Sequence, residues 1–457
     1  MLIPIYTWTK GVRNLDLRRR AFIRQPWAQG VILLTCVIIA MLLANLPFTR
    51  DIYHNVLETN VSIFFKSPDG SGIFFPRGMT VESFINDILM TVFFFSVGLE
   101  IRREMKVGEL SSVKKALLPV IAAFGGVVMP ALIFFGINHG TAAASGWGIP
   151  TATDIAFAVG ILSILGDRVP VSLKVFLTAL AIADDLIAIL VVALFYGGKI
   201  NFLLLGIAVV LVAFVVLLNK LGEKRMWCYL VPAFVIWSLF YYAGIHSTMS
   251  GVVMAFLVPM TPRFPEAYFF RKEKQYLRRI REYFGIASTS DGFPNGPQRH
   301  CLRRLSVISR GSMGMSYRLE HALEPWVNFL IMPVFALANA GVVIPDLSYF
   351  NVFNFNAAMG SVGMGIFLGL LIGKPLGISL ASFLAIKLHA GEMPAGASWK
   401  MLIAVACLGG IGFTMSIFVD TLSFSDQSPE VIAHLRDMGK VAVLMGSLCA
   451  GILGSIL

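Results

Sequence analysis

Two adjacent aspartates, Asp184 and Asp185, lie in the middle of an otherwise apolar run from 171 to 196. A charged aspartate at the centre of a bilayer costs at least ~2.5 kcal/mol, so two in a row need a chemical reason. Like charges this close, in an apolar environment, favour protonation of the carboxyl groups. We therefore interpret the pair as a site that binds a cation and protons in turn. The alternative is structural ion pairing, which accounts for one aspartate and leaves the other to hold its own proton.

Further charged residues are embedded in other apolar segments. Asp154, preceded by Thr153, lies early in the segment 149–165, and Lys374 lies well inside 357–386. So much of the apolar segment follows Lys374 that its side chain cannot easily reach water. It therefore requires an anionic partner, and the aspartates are the buried candidates. Because adjacent residues on a helix point about 100° apart, one aspartate of the pair can bind Lys374 while the other faces water.

Titratable residues also gather at the ends of two apolar segments. Glu100, Arg103 and Glu104 follow the i, i+3, i+4 spacing that places them on one face of a helix. Glu320 and His321 stand at the start of another segment, and histidine titrates near neutral pH. These residues indicate either a pH-sensing cluster or an ordinary set of interfacial salt bridges and helix caps.

The composition predicts the fold class. The 457 residues are 57% hydrophobic and only 14% charged, and their mean hydropathy of +0.77 predicts an all-α polytopic membrane protein. A net charge of +11 would suit nucleic-acid binding, but Lys and Arg gather in short segments between apolar runs, as the positive-inside rule predicts. The five cysteines have no CxxC or metal-ligand spacing, so neither a disulfide framework nor a resident metal is expected.

Twelve transmembrane helices are predicted. The spans are 31–46, 84–101, 116–137, 149–165, 171–196, 202–218, 228–242, 245–259, 326–344, 357–386, 401–424 and 441–457. No small-residue cleavage site follows the first span, so we expect it to be retained. Most of the 37 Lys and Arg fall on one side of this arrangement, which places both termini in the cytoplasm.

Spans four and eleven contain weak points for a continuous helix. In span four, Pro150 precedes two threonines and Asp154, and in span eleven the glycine-rich stretch 409–412 precedes Thr414 and Ser416. Two interrupted helices in corresponding positions of two halves predict the midplane binding site of a transporter. The alternative is that the glycines allow close helix packing.

Two polar segments are predicted to lie outside the membrane. In 51–80, aromatic and β-branched runs flank a Pro-Asp-Gly turn, which indicates either a β-hairpin that can pair with a second copy or a free-standing loop. In the insert 261–324, apolar and basic residues alternate at helical spacing over 269–284, which predicts an amphipathic helix on anionic lipid. The stretch 288–297 is predicted to be a flexible linker.

Short motifs then occur in a fixed order along the chain, at 85–87 with 97–100, 152–158, 181–186, 244–246, 318–321, 373–377 and 410–416. With these motifs the chain resembles the NhaA-type sodium/proton antiporters of bacterial inner membranes along nearly its whole length. The resemblance implies one transporter domain over 1–457, with two inverted-topology repeats whose broken members are spans four and eleven. It also implies a homodimer joined partly through the hairpin.

The same resemblance implies roles for single residues. Asp185 is similar to the main ion-binding carboxylate, and Asp184 to the neighbour that pairs with Lys374 when no sodium is bound. Asp154 and Thr153 resemble the residues that balance the dipoles of the broken helices, with Lys374 at the opposite ends. The pH-sensing positions that the resemblance implies are Glu100, Arg103, Glu104, Glu320, His321 and His246.

For His246, the residues alone favour a satisfied packing histidine over a ligand. The chain departs from the family pattern chiefly in the long basic segment 262–317, just before the sensor residues, so the pH set-point is left open.

These residues predict that sodium or lithium ions and protons compete for the same carboxylates. We expect an electrogenic, pH-regulated antiporter that expels sodium as protons enter, without a cofactor and without enzymatic activity. The alternative that shares this physics is a proton-coupled transporter of a small organic solute. An intramembrane aspartyl protease would need Tyr-Asp and Gly-x-Gly-Asp motifs, and neither precedes Asp154, Asp184 or Asp185.

Overall fold

The structure is a computed structural model that describes residues 26–61, 63–66, 72–76, 78–197, 200–286, 296–344, 352–353, 359–424 and 428–457. The basic amino-terminal segment, the predicted hairpin turn and most of the predicted linker 288–297 lie outside these residues.

The described chain is nearly all helical. Its helices are α1 (Pro26–Asn45), α2 (Arg50–Glu58), α3 (Val81–Lys106), α4 (Val113–Asn138), α5 (Ile155–Leu165), α6 (Val171–Phe195), α7 (Phe202–Lys220), α8 (Trp227–Ala243), α9 (Met249–Leu257), α10 (Glu266–Ile286), α11 (Gly296–Gly311), α12 (Met315–Asn339), α13 (Val362–Lys387), α14 (Trp399–Gly409), α15 (Phe413–Ser423) and α16 (Pro429–Ile456). The two strands are β1 (Ile63–Lys66) and β2 (Gly72–Phe75).

Within the described residues, nine helical segments are long and apolar enough to cross a membrane, and α14 with α15 forms a tenth that is bent by 44°. Each predicted span overlaps a helix or helix pair. Two of these are short: α8 has 17 residues and α9 has nine. The structure therefore shows a polytopic membrane protein with nine or ten full-length spans, and twelve remains a prediction.

Helix α6, which carries the paired aspartates, lies at the centre of the fold. Of its most apolar 18-residue window, 72% is buried, whereas only 11% of the corresponding window of α7 is. A helix that is apolar all round is stable only where other helices or lipid surround it. α6 is therefore enclosed by protein, and α7 lies at the periphery beside α8.

The chain leaves helical geometry at two places that contact each other. In span four a 3₁₀ segment (Ala142–Thr151) is followed by extended residues up to Asp154, where α5 begins. In span eleven the chain breaks between α14 and α15. The Asp154 N–H donates to the Ile411 carbonyl at 2.7 Å. Each break therefore supplies a hydrogen-bond partner for backbone groups of the other break that have no partner within their own helix. Such pairing is required in the interior of a membrane.

The polar segments fold locally. β1 and β2 pair antiparallel, with Ile63 opposite Phe75 and Lys66 opposite Gly72. In the insert, α10 packs against α11. The sequence predicted α10 but not α11, because α11 is rich in arginine and only a narrow stripe of it, including Cys301 and Ile308, is buried.

Helices α4 and α13 approach each other most closely at a pair of glycines. A Cβ atom on Gly125 would overlap the Gly377 carbonyl, and one on Gly377 would overlap the Gly125 carbonyl. Small residues at such a contact allow the two backbones to touch and pack by van der Waals attraction. This contact fixes the position of α13, the helix that carries Lys374.

We predict that Gly125→Ala destabilises the protein by about 1–3 kcal/mol, because the added methyl group forces α4 and α13 apart. Thermal unfolding of the detergent-solubilised protein measures the effect. The matched control is Gly136→Ala in the same helix, where an added Cβ meets nothing within 4 Å and removal of glycine favours the helix. Equal melting temperatures for the two variants would contradict the proposed contact.

Candidate ion-binding site

The lysine of α13 pairs with one aspartate of α6 at the breaks. Lys374, Asp184 and Thr153 are each fully buried. The Lys374 ammonium donates both to Asp184 Oδ2 and to Thr153 Oγ1. Thr153 Oγ1 lies 2.5 Å from Asp184 Oδ2 and 2.8 Å from the Gly409 carbonyl, so its single proton can go to either acceptor. A buried ion pair is tolerated where such additional hydrogen bonds satisfy the charges.

Lys374 is placed by an irregularity in its helix. A π-helical turn (Gly369–Gly373) ends directly before it. The extra residue in such a turn rotates the residues that follow it relative to the preceding helix, and π-turns occur frequently at functional sites. Similar turns lie at Ile85–Leu89 in α3 and at Val327–Ile331 in α12.

Asp185 points away from this pair into a cavity of about 480 Å³. It is only 2% exposed, and its Oδ1 atom has no hydrogen-bond partner among the described residues. Asp184 Oδ1 is likewise without a partner in the described part of the chain. Each of the two adjacent carboxylates thus has an oxygen atom without a partner among the described residues, and Asp185 lines the cavity. Oxygen is the ligand that hard cations prefer.

Asp154 caps two helices at once. Its Oδ1 accepts the Phe157 N–H of α5 at 3.3 Å, and its Oδ2 accepts the N–H and the hydroxyl of Thr414 in the first turn of α15. The amino-terminal ends of helices carry partial positive charge and unsatisfied N–H groups. One buried carboxylate therefore compensates the ends of both interrupted helices.

The mouth of the cavity is lined by the titratable residues of α3 and α12. Arg103 bridges the helices, with Nε 2.8 Å from Glu320 Oε1 and Nη1 2.7 Å from Glu104 Oε1. Glu100 lines the same cavity, as does His321, whose ring lies 4.0 Å from that of Tyr317. The second Glu320 oxygen has no partner in the described residues. These charges form one network between Asp185 and the cavity mouth.

His246 lies apart from this network. Its Nε2 atom is 2.7 Å from the Tyr196 carbonyl, and the next residue, Ser247, donates to Asp87 at 2.8 Å. Asp87 precedes Glu100 by thirteen residues in α3, which is about 20 Å along a helix. His246 is therefore near the other end of α3 and does not line the cavity.

One buried carboxylate was missed in the sequence analysis. Asp420 lies in α15 with no exposed surface. The signal that could have found it is the same one that identified Asp184 and Asp185, a charge inside a predicted span. Its position near the end of the span made it resemble an interfacial residue.

The chain was also compared with known proteins. A family model described as "Na+/H+ antiporter 1" matches residues 20–457. A protein from Wolinella succinogenes is 39% identical over 97% of this chain and 92% of its own length, and one from Oleidesulfovibrio alaskensis is 40% identical over 96% and 92%. One from Acidithiobacillus ferrooxidans is 40% identical over 95% of each chain. All three carry the name Na(+)/H(+) antiporter NhaA.

We predict that Lys374→Ala destabilises the protein by about 3–5 kcal/mol, because it leaves the buried Asp184 charge without its partner. Thermal unfolding in detergent at neutral pH measures the loss. The double variant Asp184→Asn/Lys374→Ala removes both charges and should recover much of it. Lys387→Ala, at the exposed end of the same helix, is the control. A Lys374→Ala protein as stable as this control would contradict the ion pair.

Proposed function

The chain belongs to the Na+/H+ antiporter 1 family, and we propose that Asp185, with Asp184, is the site at which it exchanges sodium for protons. The protein is a sodium/proton antiporter, a transporter and not an enzyme. The observation that carries the site assignment is that Asp184 Oδ1 and Asp185 Oδ1 have no hydrogen-bond partner among the described residues, while Asp185 lines the cavity. These atoms can take either a sodium ion or protons, but not both.

Competition at this site accounts for exchange. A sodium ion that sheds its water takes oxygen ligands from Asp185 and from Asp184 Oδ1, with Thr153 or the backbone carbonyls of the breaks in reach of Asp184. When sodium occupies Asp184, Lys374 loses part of its counter-charge and can release a proton. More protons than sodium ions then move per cycle, so exchange is electrogenic. A lithium ion, which also prefers oxygen ligands, can replace sodium.

Alternating access completes the cycle. The cavity reaches Asp185 from the side where α12 begins, and the interrupted helices lie directly around the site. We propose twelve helices with two inverted repeats, whose movement against each other exposes the loaded site to opposite sides. An empty, charged site does not cross. We propose that both termini and the cavity mouth face the cytoplasm of a bacterial inner membrane, which the distribution of the basic residues supports.

The charged network at the cavity mouth is proposed to set the pH response. Arg103 is surrounded by Glu104, Glu320 and Glu100 on the route to Asp185. The Arg103–Glu320 bridge joins α3 to α12 at the cavity, so a change in the charge of this network changes the opening through which ions pass. His246 lies outside the network, so we propose that it affects the pH response through the far end of α3.

Two further partners are proposed. The insert helix α10 carries exposed basic residues, among them Arg271, Arg278 and Arg279, and is proposed to lie on anionic lipid at the cytoplasmic face. Among the described residues, β1 and β2 pair with no further strand, so we propose that their outer edges pair with a second copy in a homodimer. The relatives named as sodium/proton antiporters do not favour the organic-solute alternative.

We predict that Asp185→Asn abolishes exchange and leaves the protein folded, because amide nitrogen donates where sodium needs an acceptor. Proteoliposomes with an acid interior and a pH-sensitive dye are pulsed with sodium, lithium and potassium. Sodium should alkalinise the interior, and Asp185→Asn should not respond. Glu109→Gln, which removes a surface carboxylate paired with Lys115, is the control. Exchange retained in Asp185→Asn would refute the site, and a wild type that responds to none of the ions would refute the function.

We predict that Arg103→Gln shifts the pH–activity profile to higher pH by about one unit. Removal of the cation favours the protonated forms of the surrounding carboxylates, so their deprotonation requires a higher pH. Sodium-dependent exchange measured from pH 6 to 9 gives the profile. The control is Arg168→Gln, an exposed residue in a 3₁₀ turn. An unchanged pH–activity profile for Arg103→Gln would show that the network consists of ordinary salt bridges without a role in the pH response.

A further inference from the structure

Asp420 is a fully buried carboxylate that the exchange mechanism does not use. It has no exposed surface, and neither Oδ1 nor Oδ2 has a hydrogen-bond partner among the described residues. Buried polar groups are nearly always hydrogen-bonded, and a buried charge without a partner is strongly unfavourable. A carboxylate in this position is more stable where a cation or a hydrogen-bond donor reaches it.

The Asp420 carboxylate lies against the backbone of α16 at Gly439. A Cβ atom on Gly439 would overlap Asp420 Oδ1, so only glycine lets the carboxylate approach the α16 backbone this closely. Arg436 precedes Gly439 by three residues and Lys440 follows it directly, and both positive charges are near enough to Asp420 to attract its carboxylate. They are four residues apart and so lie on one face of the helix.

Neither cation makes a hydrogen bond to the carboxylate in the described structure. Arg436 is held by the Thr421 carbonyl, to which its Nη2 atom donates, and its buried Nε atom has no partner among the described residues. Lys440 is half-buried and makes no hydrogen bond or salt bridge within the described part of the chain, so its ammonium group is the more mobile of the two cations. The other titratable groups near this contact are Asp437 of α16 and Tyr196 at the end of α6.

The position of Asp420 links this contact to the ion site. Thr414, which binds Asp154, precedes Asp420 by six residues on α15, about 9 Å along the helix. The first residue of the same helix is attached to α16, since the Phe413 N–H donates to Ser447 Oγ at 3.1 Å. A rotation of α15 about this attachment during the cycle would change the distance between Asp420, seven residues further on, and α16.

We propose that Asp420 is a positioning residue whose ion pair with Lys440 is open in this conformation and closes when the ion site faces the opposite side. The proposal rests on the alternating-access cycle proposed above. The pair then stabilises one of the two orientations of α15, and an interaction made in only one state shifts the balance between the states. Asp420 thus changes the sodium affinity that the site shows on each side of the membrane, although it does not contact the ion.

The first test compares sodium KM from the two sides, in membrane vesicles of opposite orientation. Asp420→Asn and Lys440→Gln should each change the ratio of the two KM values by about fivefold or more. The double variant should change it no more than the larger single effect, because both remove the same pair. Glu430→Gln, which removes an exposed carboxylate in the first turn of α16, is the control and should stay within twofold.

Two results would overturn the proposal. A ratio within twofold for Asp420→Asn, with a lowered melting temperature, would show a fixed structural contact. Additive effects of Asp420→Asn and Lys440→Gln would show that the two residues do not interact. If Asp420→Asn fails to fold, Lys440→Gln, at a half-buried position, decides alone by the same ratio.

A second test does not depend on transport. In a chain whose five native cysteines are replaced by serine, Asp420→Cys and Lys440→Cys are oxidised with and without sodium at constant pH. A disulfide forms only when the Cβ atoms come within about 4.5 Å. The rate should change about fivefold or more when sodium selects one orientation, and a rate that is the same in both conditions would refute the switch. A wild type that exchanges no sodium would instead refute the proposed function.

Discussion

The buried ion pair between Lys374 and Asp184 is the interaction on which the rest of the structure depends. Two charges removed from water are stable only if their hydrogen bonds are complete, and here Thr153 supplies the additional contact. The same hydroxyl reaches the Gly409 carbonyl at the end of α14. One polar cluster therefore joins α6, α13 and both interrupted spans, so the helices around the ion site cannot move independently of its charge.

Much of this site could be predicted from the sequence, because charges inside apolar spans are exceptional. This signal identified Asp184, Asp185 and Lys374. Because adjacent side chains on a helix point about 100° apart, the two aspartates were also expected to face different partners. The breaks were predictable for a related reason. Pro150 and the glycines at 409–412 are poor residues for a continuous helix, and in a membrane such a weakness persists only where other groups satisfy the backbone.

The remaining features depend on contacts between distant parts of the chain. The double cap by Asp154 joins residues 260 positions apart, and no local pattern shows that the two breaks meet. Which aspartate binds Lys374 depends on how α13 is rotated after its π-turn. The residues 369–373 carry no sequence pattern that predicts this turn. The resemblance gives His246 a role in the pH response but not a location, and its contacts place it near Asp87.

The charges around the proposed site are consistent with the exchange of one kind of cation for another. Asp154 faces the amino-terminal ends of α5 and α15, each equivalent to roughly half a positive charge, so it is neutralised by backbone dipoles. Asp184 is neutralised by Lys374. Asp185 has neither a dipole nor a cation bonded to it in the described structure. The site is therefore short of one positive charge, and a sodium ion or a proton can supply it. With either bound, the cluster is close to neutral and can be carried through an apolar surrounding, whereas the empty site retains a charge whose desolvation opposes movement.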